Sequence, residues 1–136
     1  MRTLYLDCGM GAAGDMLTAA LLELLPDRDA FVEELNTLSI PGVSFSAEKC
    51  EKCGILGTHM AVTVYGEEES DHPHHHGHLG DIRGIVSSLP IPTMVKLDIL
   101  SVYEEIAQAE SHVHGVPVEQ IHFHEVGTMD AIADVT

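Results

Sequence analysis

Apolar residues return at two different periods along this chain, and the changes between those periods mark its elements. Residues 3–7 (TLYLD) form a short apolar run closed by a carboxylate, which reads as a buried strand leading into a glycine-rich turn at residues 9–14. The apolar segment 16–25 reads as a helix with Asp15 as its N-cap, and Pro26 ends it. A second helix starts at Asp27 or Asp29 and carries Phe31, Val32, Leu35 and Leu38 to the turn at Ile40, Pro41 and Gly42. Val43, Phe45 and Ala47 then alternate with polar neighbours, as do Met60, Val62 and Val64. Two strands therefore flank residues 50–57, as a hairpin with an enlarged connection.

Residues 67–80 (EEESDHPHHHGHLG) interrupt both periods. They hold almost no apolar group, cannot repay their ordering entropy by burial, and are expected to form a flexible, mobile His-rich loop. Helical periodicity resumes over 81–89, stops at Pro90 and Pro92, and returns over 94–114 with Thr93 as N-cap and Gly115 as the stop. In that longest helix Val95, Ile99, Val102, Ile106, Ala109 and Val113 alternate between wider and narrower helical spacings, which predicts one core-facing stripe. Residues 121–126 resemble a strand, and Gly127 and Thr128 introduce a helix at Asp130. The expected class is α/β or α+β, a small sheet of about four strands with helices packed on it. Because the last helix has barely begun at Thr136, residues 1–136 are expected to be a single N-terminal domain of a longer or split protein.

Composition narrows the chemistry. With 136 residues, 45% hydrophobic and 21% charged, the chain suits one folded domain and excludes a disordered chain or a collagen-like repeat. Six Lys and Arg against 22 Asp and Glu give a net charge of -16, which repels nucleic acid and anionic lipid and favours cations, metals above all. No apolar run approaches the roughly 18 residues that span a bilayer. Asp7 and Asp15 also interrupt the start of the chain where a signal peptide needs an unbroken apolar core, so a cytoplasmic protein is expected. Cys8, Cys50 and Cys53 are an odd set, better suited to free thiols or metal ligation than to a disulfide framework.

Three constellations could carry chemistry. Gly9, Gly11 and Gly14 have the G-x-G-x-x-G spacing of a dinucleotide turn, but a helix follows where that fold needs a second strand, and Asp15 puts a carboxylate where phosphate would sit. With a divalent cation in between, Asp7 and Asp15 could face a phosphate; the alternative is a tight strand-to-helix turn. His72, His74, His75, His76 and His78 follow Glu67, Glu68, Glu69 and Asp71, an acidic setting that concentrates cations around imidazoles suited to Ni, Zn, Cu or Co. That tract reads as metal recruitment, against a solvated loop without function.

His122 and His124 would share one face of a strand while Phe123 anchors the other. Glu125 and Asp130 lie near enough in sequence to add oxygen ligands or to orient a histidine. His112 and His114 most simply face the negative end of the long helix. Cys50 and Cys53 make half a zinc ribbon at most, with Cys8 or His59 as conceivable third donors.

Taken together, MRTLYLDCGMGAAGDMLTAALLELL, the internal histidine tract and HFHEVGTMDAIADV resemble the N-terminal portion of the LarC family of nickel insertion proteins, also described as pyridinium-3,5-bisthiocarboxylic acid mononucleotide nickel chelatases. The resemblance implies a cytoplasmic enzyme of the lyase class that loads Ni(II) into a pyridinium mononucleotide. The product would be the nickel-pincer cofactor of lactate racemase and related enzymes, made at the expense of CTP with Mg or Mn assisting. It draws attention to Asp7, Gly9, Gly14 and Asp15 at one end and to His122, His124, Glu125, Gly127 and Asp130 at the other. The expected assignment gives Asp7 and Asp15 a contact to substrate or Mg-nucleotide, and Gly9, Gly11 and Gly14 the binding of substrate. The metal falls to His72, His74, His75, His76, His78, His122, His124, Glu125 and Asp130. Family members continue well past this chain, so the remaining C-terminal portion is an expected partner, and CTP use is implied for the full-length protein; a homo-oligomer stays open. The alternative is a His-rich nickel store or metallochaperone without catalysis.

Overall fold

A computed structural model of the chain describes residues 1–9, 11–67, 77–123 and 126–136. Its α/β fold runs α1 (Gly14–Leu22), α2 (Arg28–Thr37), β1 (Val43–Lys52), β2 (Ile55–Val64), β3 (Gly77–His78), α3 (Leu79–Ser88), α4 (Thr93–His114), β4 (His122–Phe123) and α5 (Met129–Val135), with a 3-10 turn at Val118–Gln120 before β4. The four strands form two separate antiparallel pairs, β1 with β2 and β3 with β4.

The β1–β2 ladder is unbroken from Val43 opposite Val64 to Lys52 opposite Ile55. Cys53 and Gly54 alone make the turn, at φ of 54° and 77°, the two positive angles of a type I′ hairpin whose twist matches its strands. The enlarged connection expected over residues 50–57 is therefore absent. Backbone pairing needs no side-chain alternation, so the ladder continues where the apolar pattern fades.

Helices α1 and α5 pack on β2, α2 packs on β1, and α3 lies against α4. One core gathers Ile82 and Val86 of α3, Ile99, Tyr103 and Ala107 of α4, Phe123 of β4 and Ile132 of α5; a smaller one joins Ala19 and Leu22 of α1 to Met60 of β2. No described helix is long and apolar enough to cross a membrane.

The expected starts of α2 and α5 and the expected stop of α4 hold. The Asp27 carboxylate accepts the Ala30 N–H at 3.0 Å and caps α2, Thr128 Oγ1 accepts the Ala131 N–H at 3.2 Å and caps α5, and Gly115 ends α4 in the left-handed region at φ 67°.

Others are corrected. Residues 3–7 form no strand: Leu4, Tyr5 and Leu6 are 57%, 83% and 46% exposed, because no described strand lies beside them to pair their backbone. Asp15 is not the N-cap of α1. That position belongs to Ala13, while the Asp15 carboxylate accepts the neighbouring Met16 N–H at 2.7 Å.

The buried stripe of α4 is Ile99, Tyr103 and Ala107, with Ile106 at its margin, whereas Val102 and Val113 are 44% and 77% exposed. Apolar residues occupy more than one side of this helix, and contact with α3 selects the side that Tyr103 fills. The expected loop over 67–80 falls mainly on 68–76, outside the described residues; Gly77 and His78 form β3, and α3 begins at Leu79.

Candidate functional site

The histidine tract ends at His78, and the fold brings that residue to the closing motif. In the β3–β4 pair His78 stands opposite His122, and their imidazole centroids are 4.0 Å apart with planes tilted by 52°. Directly opposed side chains on an antiparallel pair are the nearest neighbours a sheet provides. Both residues are exposed, so the pair is open to an approaching ion.

The pair is fixed from both sides. Asp81 Oδ2 accepts the His78 backbone N–H at 3.0 Å, which locks the strand-to-helix junction. Phe123, 1% exposed, sits in the core against Tyr103 with ring centroids 5.9 Å apart. Because strand side chains alternate, burial of Phe123 turns His122 outward. Gly127 completes the arrangement: a Cβ there would meet Phe123 Cβ at 2.8 Å and the Gly77 nitrogen at 3.1 Å, so only hydrogen leaves β3 and β4 room beside the following turn.

A second place gathers carboxylates. A cavity of about 490 Å³ is walled by Asp15 of α1, His59, Met60 and Val62 of β2, and Asp130 and Asp134 of α5, among others. That size lies within the usual range for small-molecule sites, roughly 300–1,000 Å³. Asp15 and Asp130 come from opposite ends of the sequence. They line one cavity because α1 and α5 approach so closely at Gly14 that an added Cβ would fall 2.6 Å from both the Cβ and the carbonyl oxygen of Asp134. Gly14, one of the glycines expected to bind substrate, is where α1 seats against α5.

The carboxylates make the cavity attractive to cations and hostile to bare phosphate. Their field reaches the core: burial first, and the Asp134 charge second, push the Tyr103 hydroxyl well above the usual phenol range. Tyr103 Oη is buried with no hydrogen-bond partner among the described residues.

The other candidates are dispersed. Asp7 accepts the Gly9 N–H at 3.0 Å and does not line the cavity. Gly9 and Gly11 lie in the exposed turn, where the Gly11 N–H donates to the Cys8 carbonyl at 2.9 Å. His72, His74, His75, His76, His124 and Glu125 lie outside the described residues. Cys50 and Cys53 are free thiols at the hairpin end, and His114 Nε2 lies 3.0 Å from Glu110 Oε2 one turn earlier. Among the described residues no group of three His, Cys, Asp or Glu side chains converges as a complete metal cage.

Sequence reasoning passed over Asp134, although Asp130 and Asp134 one helical turn apart were a readable signal of a shared face. It considered His59 only beside the cysteines; nothing in the sequence places it against α5.

Known proteins resemble this chain along nearly all of its length. The family model described as nickel insertion protein matches residues 4–136. A pyridinium-3,5-bisthiocarboxylic acid mononucleotide nickel insertion protein of Akkermansia muciniphila is 38% identical over 99% of this chain and 34% of its own length. Proteins of the same name from Staphylococcus saprophyticus and Acetivibrio thermocellus are 39% and 40% identical, over 97% and 99% of the chain and 32% and 34% of their own lengths. The chain thus spans about a third of the curated relatives it matches. No solved structure matches it. With the opening and closing motifs both inside the matched region, the chain belongs to the nickel insertion protein family.

Proposed function

We propose that this chain is the nickel-handling N-terminal part of a protein that loads Ni(II) into a pyridinium-3,5-bisthiocarboxylate mononucleotide. His78 and His122 hold the ion before transfer, with His124 and the tract residues His72, His74, His75 and His76 as further nitrogen donors. The observation that carries this reading is the β3–β4 pairing, which sets the last imidazole of an acidic histidine tract 4.0 Å from that of His122. Two exposed imidazoles bind a first-row ion but leave most of its coordination positions open, so an incoming ligand can enter before the histidines leave. Transfer is ligand exchange: a nickel–nitrogen bond breaks as a nickel–sulfur bond to the thiocarboxylate forms, and the metal keeps its charge.

The cavity between α1 and α5 is the proposed berth for the cationic pyridinium end of the substrate, whose charge Asp15, Asp130 and Asp134 complement. A hard divalent ion such as Mg or Mn also fits these oxygen donors, since it takes one or two protein carboxylates and completes its shell with water and phosphate oxygens. There it would neutralise phosphate charge. Chelatase activity, CTP consumption and residence in the cytoplasm are assigned to the full-length protein.

Calorimetric titration with Ni(II) tests the proposal. The unaltered chain is expected to show a stoichiometric site, and His78→Ala/His122→Ala to weaken it by about ten-fold or more, roughly 1.4 kcal/mol. Both side chains are exposed, so the double variant should fold, with circular dichroism as the check. Unchanged affinity and stoichiometry would overturn the assignment. Replacing His72, His74, His75 and His76 with serine separates insertion from storage: an insertion module keeps its stoichiometric site, whereas a store loses nearly all its nickel.

A further inference from the structure

Two neighbouring features at the start of the chain have the chemistry of a protein interior and stand in solvent. Residues 3–7 carry the composition of a buried strand, yet Leu4, Tyr5 and Leu6 are exposed. Among the described residues no backbone–backbone hydrogen bond is made within or to residues 3–7. Unpaired backbone carrying side chains of strand composition is a template for another strand. Immediately after the turn, α1 is apolar on nearly every side. It buries only Ala19 and Leu22, while Leu21 on its surface and Leu24 just beyond it are 41% and 67% exposed; Met16 borders the carboxylate cavity instead. A helix with more than one apolar side belongs between layers, and β2 and α5, which pack on α1, leave Leu21 uncovered.

What covers them follows from length and charge. The curated relatives align with this chain over only 34% of their length, so about two thirds of each lies beyond the matched region. A second copy is a poor cover, because each copy carries a net charge of -16 and would meet its own sign.

We propose that residues 3–7 and the outer face of α1 are the docking surface for the remaining two thirds of the full-length protein, which adds a β-strand alongside Leu4 to Asp7 and buries Leu21 and Leu24. The inference rests on family membership and not on the histidine pair. It adds a consequence for the carboxylate cavity: the docked strand runs through the Gly9 turn directly into Asp15, so docking fixes the α1 wall of that cavity.

The test compares amide hydrogen exchange in two proteins by mass spectrometry: this chain alone, and a fusion in which it replaces the matching third of the Akkermansia muciniphila relative. In the fusion, peptides covering residues 3–7 and 20–25 are expected to exchange about ten-fold or more slowly than in the chain alone, as buried and paired amides do. Leu4→Asp/Leu6→Asp, at exposed positions that the isolated chain tolerates, should return both peptides to the faster rate. Equal exchange in chain and fusion overturns the proposal, as does protection that survives the double variant. Protection already present in the chain alone and rising with its concentration overturns it too, in favour of self-association. Nickel is absent throughout, so failure here leaves the histidine-pair reading to its own titration.

Discussion

Replacing Gly14 with alanine should destabilise the protein even though alanine is the better helix former. On propensity the substitution gains at most about 1 kcal/mol, and less at a first helical position than in an interior. Against that gain, the new methyl would lie 2.6 Å from the Cβ of Asp134, 2.6 Å from its carbonyl oxygen and 2.7 Å from its Cγ. Two of those atoms are fixed to the α5 backbone, so relief requires the helices to separate by most of an ångström, and overpacking of that kind costs about 1–3 kcal/mol.

The net expectation is a loss of about 1–2 kcal/mol, or roughly 3–8 °C in Tm for a domain of this size. Gly84→Ala is the control: it lies within α3, is exposed, and its added Cβ meets nothing within 4 Å. It should gain about 0.5–1 kcal/mol on propensity alone. Thermal unfolding followed by circular dichroism reads both. Were Gly14→Ala to match or exceed the parent while Gly84→Ala rises as expected, the close approach of α1 and α5 would be refuted, and with it the shared cavity of Asp15 and Asp130.

Two further outcomes are accessible to the same assay. The Tyr103 hydroxyl is raised in the folded state by burial and then by Asp134, while in the unfolded chain it titrates near pH 10. The folded state therefore holds a proton that the unfolded state releases, and stability, level below about pH 10, should fall above it by up to about 1.4 kcal/mol per pH unit. Tyr103→Phe should remove that part of the fall and be at least as stable at pH 7, since it deletes a buried hydroxyl with no partner; an unchanged alkaline profile would contradict this. Asp27→Ala strips the Ala30 N–H of its 3.0 Å acceptor and should cost about 1 kcal/mol, read as a lowered urea midpoint; no change would deny the cap its role.

Local rules carried the reading far where elements are set by their own residues. The helix starts near Asp27 and Thr128, the stop at Gly115, the breaks at Pro90 and Pro92 and the alternation in β1 and β2 act within a few residues, and each was legible, whereas the caps expected at Asp15 and Thr93 fall on Ala13 and Pro92. The acidic histidine tract and the His-x-His pair supply by composition the nitrogen donors on which the proposed function draws. Legibility failed where a partner decides. Residues 3–7 have strand composition and no neighbouring strand, and α4 offers two apolar sides of which α3 covers one. The hairpin connection closed tightly because Cys53 and Gly54 accept positive φ, a backbone choice that hydrophobic patterning does not record.

The amino-acid order by itself determined the helices, the hairpin, the strong negative charge and the residue types available to bind nickel, since these depend on side chains and their near neighbours. Only the tertiary structure decided which of them meet. It set His78 against His122 through two residues of strand pairing, and brought Asp15 and Asp130 to one cavity through a helix contact that a single glycine permits. Contacts between positions more than a hundred residues apart, as these last two are, depend on how whole elements stack, and no local pattern encodes that.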